Sequence, residues 1–545
     1  MSKQPDRKDH SKAIKSLEQS AKNDNLLSMF QLYLYNSTGK NVVKPDEKLA
    51  QTYLESVADK LSTSKFVIKS VELYEFRRLR KIEIEFNEKL TIIIGNNGSG
   101  KTSIVDALAK TFTWFNNNLD KSTNGRPVTP MDVNVNSTDY GEVVTKIEFN
   151  KETQFETTLA KTVPGYPHSK SGEVTDIKLA GLMYRHLANH ESISIPLLAY
   201  YSVERSDFKL TQTIPENASG NPSSNRFNSL NGALEGSGKL DEFSELYIEL
   251  VNLAQGESAS EVKALRVKIN NIESLIKEAY DGKEIPKEDP IVSKFNSMKI
   301  ELDDALAANC STKHQRQLEL VNHAIETIVP DVTGFEVDRT SGKLKLMVCN
   351  FGNRVNISQL SQGQKTLVAL TGDLARRLVV LNPEADNALN GHGIVIIDEV
   401  ELHLHPKWQQ EVLLGLQNTF PNIQFIVTTH SPQVLSTVDK TCIRQVYLNK
   451  HGEPDIKVPH FQTRGVTSAS VLARIMEIES IPQNVPEAQL VKQFYKFLGN
   501  HNKNEAQQEL EKIINHFSED HPVTKECVES LNIYELKSKY LKAKE

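Results

Sequence analysis

In the stretch TIIIGNNGSGKTSIVDALAK, Thr91 to Lys110, the glycines Gly95, Gly98 and Gly100 lead directly into Lys101 and Thr102. Glycines permit a tight loop that no side chain obstructs, and the backbone N–H groups of such a loop, backed by a helix N-terminus, surround phosphate oxygens. Lys101 then reaches the β/γ oxygens and Thr102 holds Mg²⁺, so the complete G-x-x-x-x-G-K-[ST] pattern implies a nucleoside triphosphate site. A chance glycine loop would lack the β-branched run before it (Ile92, Ile93, Ile94) and the apolar helix face after it (Ile104, Val105, Leu108). Further along, in HGIVIIDEVELHLHP, Asp398 and Glu399 follow the apolar run Ile394 to Ile397. Asp398 suits a Mg²⁺ shell and Glu399 can polarise an attacking water. In QFIVTTHSPQVL, His430 follows a second apolar run, placed to sense or stabilise a γ-phosphate. In ISQLSQGQKTLVALTGDLARRL, Ser361 and Gly363 sit where a helix would start and present a hydroxyl and free N–H groups to an anion.

These groups need strands and helices to hold them. The short apolar runs read as buried strands, whose C-terminal ends are where α/β sheets bind ligands. From Ser64, KFVIKSVELYEFRRLRKIEIEF alternates apolar and polar residues, the signature of strands in a hairpin, and EVVTKIEFNKETQFETTLAK repeats it. ISIPLLAYYSVERS predicts another buried strand ending near Tyr201. The Ser/Asn/Gly/Pro-rich stretch between Ser206 and Gly238 predicts a mobile loop, residues 239–328 predict helices, and Thr340-Ser341-Gly342 predicts a hairpin turn. Near the start, Ala13, Leu17, Glu18 and Ala21 match Ala50, Leu54, Glu55 and Ala58 at one constant offset, and the intervening GKNVVKPDEKLA resembles Sel1-like repeats of α-solenoids. The expected segments are a helical repeat region at 1–62, an ATPase lobe with the phosphate loop at 63–205, and a loop with helical insertion at 206–330. A second ATPase lobe at 331–465 and a helical docking region at 466–545 complete the division.

Composition limits the classes open to such a chain. Its 545 residues suggest about two to four domains. With 64 Lys plus Arg against 70 Asp plus Glu, and net charge -6, the molecule is no polycation built to coat nucleic acid. The longest apolar runs fall well short of the ~20 residues a membrane span needs, and the polar start MSKQPDRKDH lacks a signal-peptide core, so a cytoplasmic protein with no membrane partner is expected. Cys310, Cys349, Cys442 and Cys527 show no C-x-x-C spacing and read as reduced and structural. His403 and His405 could ligate a metal or serve the fold. Arg77-Arg78 and Arg376-Arg377 could touch nucleic acid or nucleotide, or be solvated or ion-paired.

The order GNNGSGKT, LSQGQKT, IIDEVELHLHP, VTTHSP resembles the ABC-type ATPase heads of the SMC, RecF and OLD-like group, a mixed α/β sheet with flanking helices. The resemblance implies ATP with Mg²⁺ held by Thr102 and Asp398, and a phosphate loop of Gly95, Asn96, Asn97, Gly98, Ser99, Gly100, Lys101, Thr102 and Ser103. It implies a signature of Ser361, Gln362, Gly363 and Gln364 that closes over the ATP of a second copy. It makes Glu399 and His430 catalytic, and Glu401 to Pro406 a head-contact segment. Two departures stand out: no glutamine follows Tyr201 in YYSVERS, so Glu204 or another residue must serve there, and Gln362 replaces a frequent glycine.

OLD-like relatives carry a nuclease with a D-x-D cluster after the ATPase. The residues after His430 contain no D-x-D and no H-N-H finger, and read instead as helices. A compact head with a short helical insertion, RGVTSASVLARIM after the strand ending in His430 and no such cluster resembles the ATPase subunits of Septu-type anti-phage systems, and the N-terminal helical repeat resembles the version that accompanies retrons. That resemblance implies a partner HNH endonuclease and a reverse transcriptase with its RNA–DNA product. The alternatives are a RecF/SMC-like repair ATPase that binds DNA itself and a nucleotide-gated scaffold with little turnover.

Overall fold

Short acceptor side chains set the first helix starts. After α1 (Arg7–Lys22), Asn25 caps α2 (Leu26–Thr38) by accepting from Ser28 N, and Asp46 caps α3 (Glu47–Thr63) by accepting from Leu49 N. Each satisfies an N–H that the first turn leaves unbonded. The computed structural model describes residues 7–39, 44–190, 192–206, 226–236, 240–257, 259–280, 289–339, 344–476 and 485–542. The expected turn at Thr340-Ser341-Gly342 and most of the Ser/Asn/Gly/Pro-rich stretch lie outside these residues. The chain separates into two units, Met1–Gly465 and Val466–Glu545.

Within the first unit, period-2 alternation builds an antiparallel sheet. β1 (Val67–Phe76) and β2 (Leu79–Glu85) pair with Leu73 opposite Ile82 and Val71 opposite Ile84, so one face is apolar while the other carries Lys81, Glu83 and Glu85 to solvent. The apolar run β3 (Leu90–Gly95) leads into α4 (Lys101–Asp120), after which β4 (Tyr140–Asn150) and β5 (Thr153–Thr162) complete the sheet in the order β2-β1-β4-β5. α4 buries residues all round its axis, among them Ile104, Leu108, Phe112 and Phe115, as a helix enclosed by structure on every side must. The ring of Phe66 packs 4.8 Å from that of Phe115 and 5.3 Å from that of Phe149, joining α4 to the antiparallel sheet.

The N-terminal helices join this core. Leu26 N donates to Thr153 Oγ1 at 2.9 Å, and the Phe30 ring packs 5.5 Å from His186 at the end of α5 (Thr175–His186). Next come the buried β6 (Leu197–Tyr201) and the helices α6 (Leu240–Ala254), α7 (Ser260–Tyr280), α8 (Pro290–Asn309) and α9 (Thr312–Ile328). A small antiparallel sheet of β7 (Val332–Asp338), β8 (Lys345–Asn350) and β9 (Asn353–Asn356) precedes α10 (Gln362–Leu381).

The remaining strands are mostly continuous apolar runs, the mark of a sheet covered on both faces. β10 (Gly393–Ile397), α11 (Pro406–Thr419), β11 (Ile423–Thr428), the short α12 (Pro432–Leu435), β12 (Ile443–Leu448) and β13 (Pro454–Lys457) finish the unit. The six-stranded sheet has the order β13-β12-β3-β11-β10-β6; all its pairings are parallel except β12 with β13. Its register sets Ile397 beside Val427 and Thr428 beside Ile93, so the C-terminal ends of β10, β11 and β3 lie side by side. The second unit holds α13 (Ser468–Arg474), α14 (Pro486–Gly499), α15 (Lys503–Phe517) and α16 (Pro522–Lys542), with Phe494, Ala506 and Ile513 fully buried in its own core. No described helix is long and apolar enough to cross a membrane.

Candidate nucleotide site

The loop from β3 to α4 turns through Gly100, the N-cap of α4, at φ +106°, where a Cβ would stand 2.6 Å from Leu79 Cδ2. Only glycine meets both demands. Asn96, Asn97 and Gly98 are exposed, Ser99 is buried, and Ser103 is partly covered. Lys101 is buried with its ammonium folded over the loop, donating to Gly95 O at 2.9 Å and Asn96 O at 3.1 Å. Burial lowers its pKa, while the carboxylates of Asp398, Glu399 and Glu401 act in the opposite sense. Thr102 Oγ1 donates to Asp398 Oδ2 at 3.0 Å, joining the phosphate loop to the end of β10.

At that end the backbone is fixed from several sides. Asp398 N donates to Tyr201 O, Thr428 Oγ1 donates to Asp398 Oδ1, and Glu399 N donates to Thr428 Oγ1 at 2.8 Å. Glu399 adopts φ +49°, a left-handed conformation uncommon for a residue with a Cβ. Glu401 reaches across to β11: its carboxylate accepts from His430 N and, at 2.7 Å, from Thr429 Oγ1. His430 is half-buried; burial and then the Lys101 ammonium lower its pKa against the pull of Glu401, Glu399 and Asp398. Lys101, Thr102, Asp398, Glu399 and His430 therefore meet at the aligned ends of three parallel strands.

Sequence reasoning passed over two residues here. Glu204 is exposed, but its neighbour Arg205 is wholly buried and donates to Asp398 O and Glu399 O. Glu401, expected only within a head-contact segment, holds the His430 turn. Arg205 belongs to no short motif and is only a lone arginine just after a buried strand, whereas Glu401 lies within IIDEVELHLHP but with no signal there for its bond to the His430 turn.

The signature residues behave differently. Ser361 caps α10 in a reciprocal box with Gln364, whose amide also donates to Asn350 Oδ1 at 2.8 Å. Gly363 lies so close to the 403 carbonyl that a Cβ would stand 2.8 Å from His403 O, with Trp408 next to it. Ser361 and Gln362 are exposed, whereas Gly363 and Gln364 are buried. Among the described residues, the side-chain hydrogen bonds of Ser361 and Gln364 run to each other, Asn350 and Pro330, and not to the phosphate loop.

The remaining candidates find structural partners. His405 caps α11 by accepting from Lys407 N. Arg376 and Arg377 are buried against Asp373, which also accepts from Tyr201 Oη at 3.0 Å. Arg77 pairs with Asp106 and Asp132, while Arg78 Nη1 donates to Gly98 O. Lys110 and the backbone and hydroxyl of Thr129 donate to the same Asp132, and although burial opposes it, these three bonds hold that carboxyl down at about 2.

A protein family described as AAA ATPase domain matches residues 67–435. The chain is similar to the retron Vc95 probable ATPase of Vibrio cholerae serotype O1 biovar El Tor, 33% identical over 446 residues, 79% of this chain and 83% of that protein. It is 30% identical over 499 residues to the retron Ec83 probable ATPase of Escherichia coli, covering 88% of this chain and 89% of that one. The Septu protein PtuA of Bacillus mycoides (strain KBAB4) is 24% identical over 490 residues, 88% of this chain and 54% of that one. Among solved structures, the Smc head domain bound to the C-terminal domain of ScpA, from Pyrococcus furiosus, gives a TM-score of 0.37 at 16% identity, over 72% of this chain and 96% of that one. That score carries no conclusion.

Proposed function

The chain belongs to the AAA ATPase domain family, and from that premise we propose that it is the ATP-binding and ATP-hydrolysing subunit of a retron- or Septu-type anti-phage complex, controlling a separate HNH nuclease through ATP-dependent pairing of heads. The observation that carries the reading is the convergence of Lys101, Thr102, Asp398, Glu399 and His430 in a chain this similar to retron ATPases.

Lys101 exchanges the Gly95 and Asn96 carbonyls for β/γ oxygens when ATP enters, because an ammonium binds a phosphate anion more strongly than a neutral acceptor. The loop N–H groups and the start of α4 take the remaining phosphate charge. Thr102 Oγ1 and Asp398 Oδ2 are adjacent hard oxygen donors, the kind Mg²⁺ takes, so these residues fit the ion. Bound there, Mg²⁺ would offset charge on the phosphates. Glu399 orients and polarises the attacking water, and His430, fixed at its backbone by Glu401, donates to the γ-phosphate.

Ser361 and Gln362, exposed at the head of α10, are the surface offered to the ATP of a second copy, with Gly363 and Gln364 as their buried support. The Sel1-like reading of the N-terminal helices makes them a docking platform for a reverse transcriptase or its RNA–DNA product. The helices from Val466 onward are the docking unit for the nuclease. Cleavage falls to another chain, since the residues after His430 carry neither a D-x-D nor an H-N-H arrangement.

Affinity purification from the native host tests this. Co-purification of an HNH protein, with nuclease activity absent from the isolated chain, supports the proposal. Recovery on duplex DNA with no nuclease partner would favour a repair ATPase of the RecF/SMC kind.

A further inference from the structure

Arg205 sits in the 3-10 turn Val203–Ser206 directly after β6 and exposes 0% of its surface. A buried guanidinium needs acceptors, and this one finds backbone carbonyls: Nη1 donates to Ser202 O at 2.8 Å and to Asp398 O at 2.5 Å, and Nη2 donates to Glu399 O at 2.5 Å. Its Nε is buried with no hydrogen-bond partner among the described residues. Burial pushes its pKa down to about 10, although Asp398, Glu401 and Glu399 favour its charged form. An arginine so incompletely satisfied is a poor device for stability alone.

What it touches is the backbone that carries Asp398 and Glu399. Asp398 N, Glu399 N and Val400 N donate to Tyr201 O, Thr428 Oγ1 and Thr428 O. Leu402 N donates to Glu399 O, and Arg205 bonds both the Asp398 and the Glu399 carbonyls. Every polar backbone group from Asp398 to Glu399 is thereby engaged. Glu399 meanwhile holds φ +49°, a conformation that persists in a non-glycine residue only where the surroundings fix it. The same segment reaches the signature helix, because Tyr201 Oη donates to the buried Asp373 of α10 at 3.0 Å.

We propose that Arg205 is a positioning residue for ATP hydrolysis: its guanidinium clamps the Asp398 and Glu399 carbonyls and so keeps the Glu399 carboxylate beside Lys101 and His430. The inference rests on Glu399 as the residue that polarises water. Arg205 acts through Glu399 and not on the phosphates. Lysine cannot replace it, since a point donor does not bridge two carbonyls as a planar fork does.

The test is a double-mutant cycle on the full chain. ATP affinity is read with a fluorescent ATP analogue, single-turnover hydrolysis with protein in excess, and folding by thermal melting. Arg205→Lys should keep ATP affinity within about threefold and still melt cooperatively, at a somewhat lower temperature because the buried carbonyls lose part of their donor set. Hydrolysis should slow between ~10- and ~100-fold, the usual effect of misplacing a catalytic group. Arg205→Lys with Glu399→Gln should be no slower than Glu399→Gln alone. Hydrolysis by Arg205→Lys at the unchanged rate, a parallel loss of ATP affinity, or effects that multiply in the double variant would each overturn the proposal. Should the lysine variant not fold, Arg205→Gln, which keeps a donor but no charge, is read by the same criteria. Undiminished hydrolysis in Glu399→Gln defeats the Glu399 assignment itself, whereas a slow Glu399→Gln beside a fast Arg205→Lys defeats only the inference about Arg205.

Discussion

The aligned ends of β3, β10 and β11 and the N-terminus of α10 both offer hydrogen-bonding groups to an anion, yet they are built in opposite ways. At the strand ends, residues far apart in sequence depend on one another: Thr102 on Asp398, Thr428 on Asp398 and Glu399, and His430 on Glu401. At the head of α10 the bonds are local, with Ser361 and Gln364 satisfying each other and leaving Ser361 and Gln362 exposed. The first region is a site assembled within one chain. The second is a surface whose hydrogen bonds are met locally, as the proposed pairing with another copy would need. Substitutions in the two regions should therefore separate ATP binding from pairing.

The sharpest break in that comparison is Lys101→Ala. Removing the buried ammonium should weaken ATP binding by at least ~100-fold, because the loop loses the charge that lies over Gly95 and Asn96. Unchanged affinity by calorimetry would remove the phosphate-loop assignment. On the other side, Ser361→Arg should leave single-site ATP affinity intact while lowering turnover about tenfold, because a bulky charge on the exposed tip opposes close approach of a second head. Equal losses of affinity from both substitutions would mean that the two regions form one site within the chain.

The strand-end region was largely legible in the sequence because its motifs are contiguous. An apolar run followed at once by Gly95, by Asp398-Glu399 or by His430 reports both the buried strand and the group at its tip. Arg205 and Glu401 were not legible as site residues, since their partners are fixed by the packing of β6 on β10 and β10 on β11 and by no local pattern. Gln364 shows the converse: a motif residue by position, it spends its amide on Asn350 and its carbonyl on the cap of its own helix. The arginines of α10 were open to several readings because nothing in LARRL reveals the buried Asp373–Tyr201 contact that absorbs them.

Smaller effects refine the picture. Ser361→Ala removes the α10 cap and should cost about 1 kcal/mol of stability, read from denaturant midpoints, a loss that Ser361→Asp should largely restore. His392 supplies an acid response unrelated to nucleotide: burial, reinforced by Lys65, lowers its pKa to about 4. A histidine depressed from the ordinary ~6.5 contributes stability that is complete above that value and is lost as pH falls towards the folded value. Melting temperatures should thus decline between pH 6.5 and about 4, and His392→Asn should flatten that decline. An unaltered slope in the variant would assign the acid response to other groups.

The central claim is that one chain binds ATP through the phosphate loop and hydrolyses it through Glu399. The most direct measurement is ATP retention and single-turnover hydrolysis in Glu399→Gln beside the unchanged protein. Affinity should be preserved, hydrolysis should fall by ~100-fold or more, and ATP should be recovered intact from the purified variant. Hydrolysis by Glu399→Gln at the unchanged rate would contradict the account.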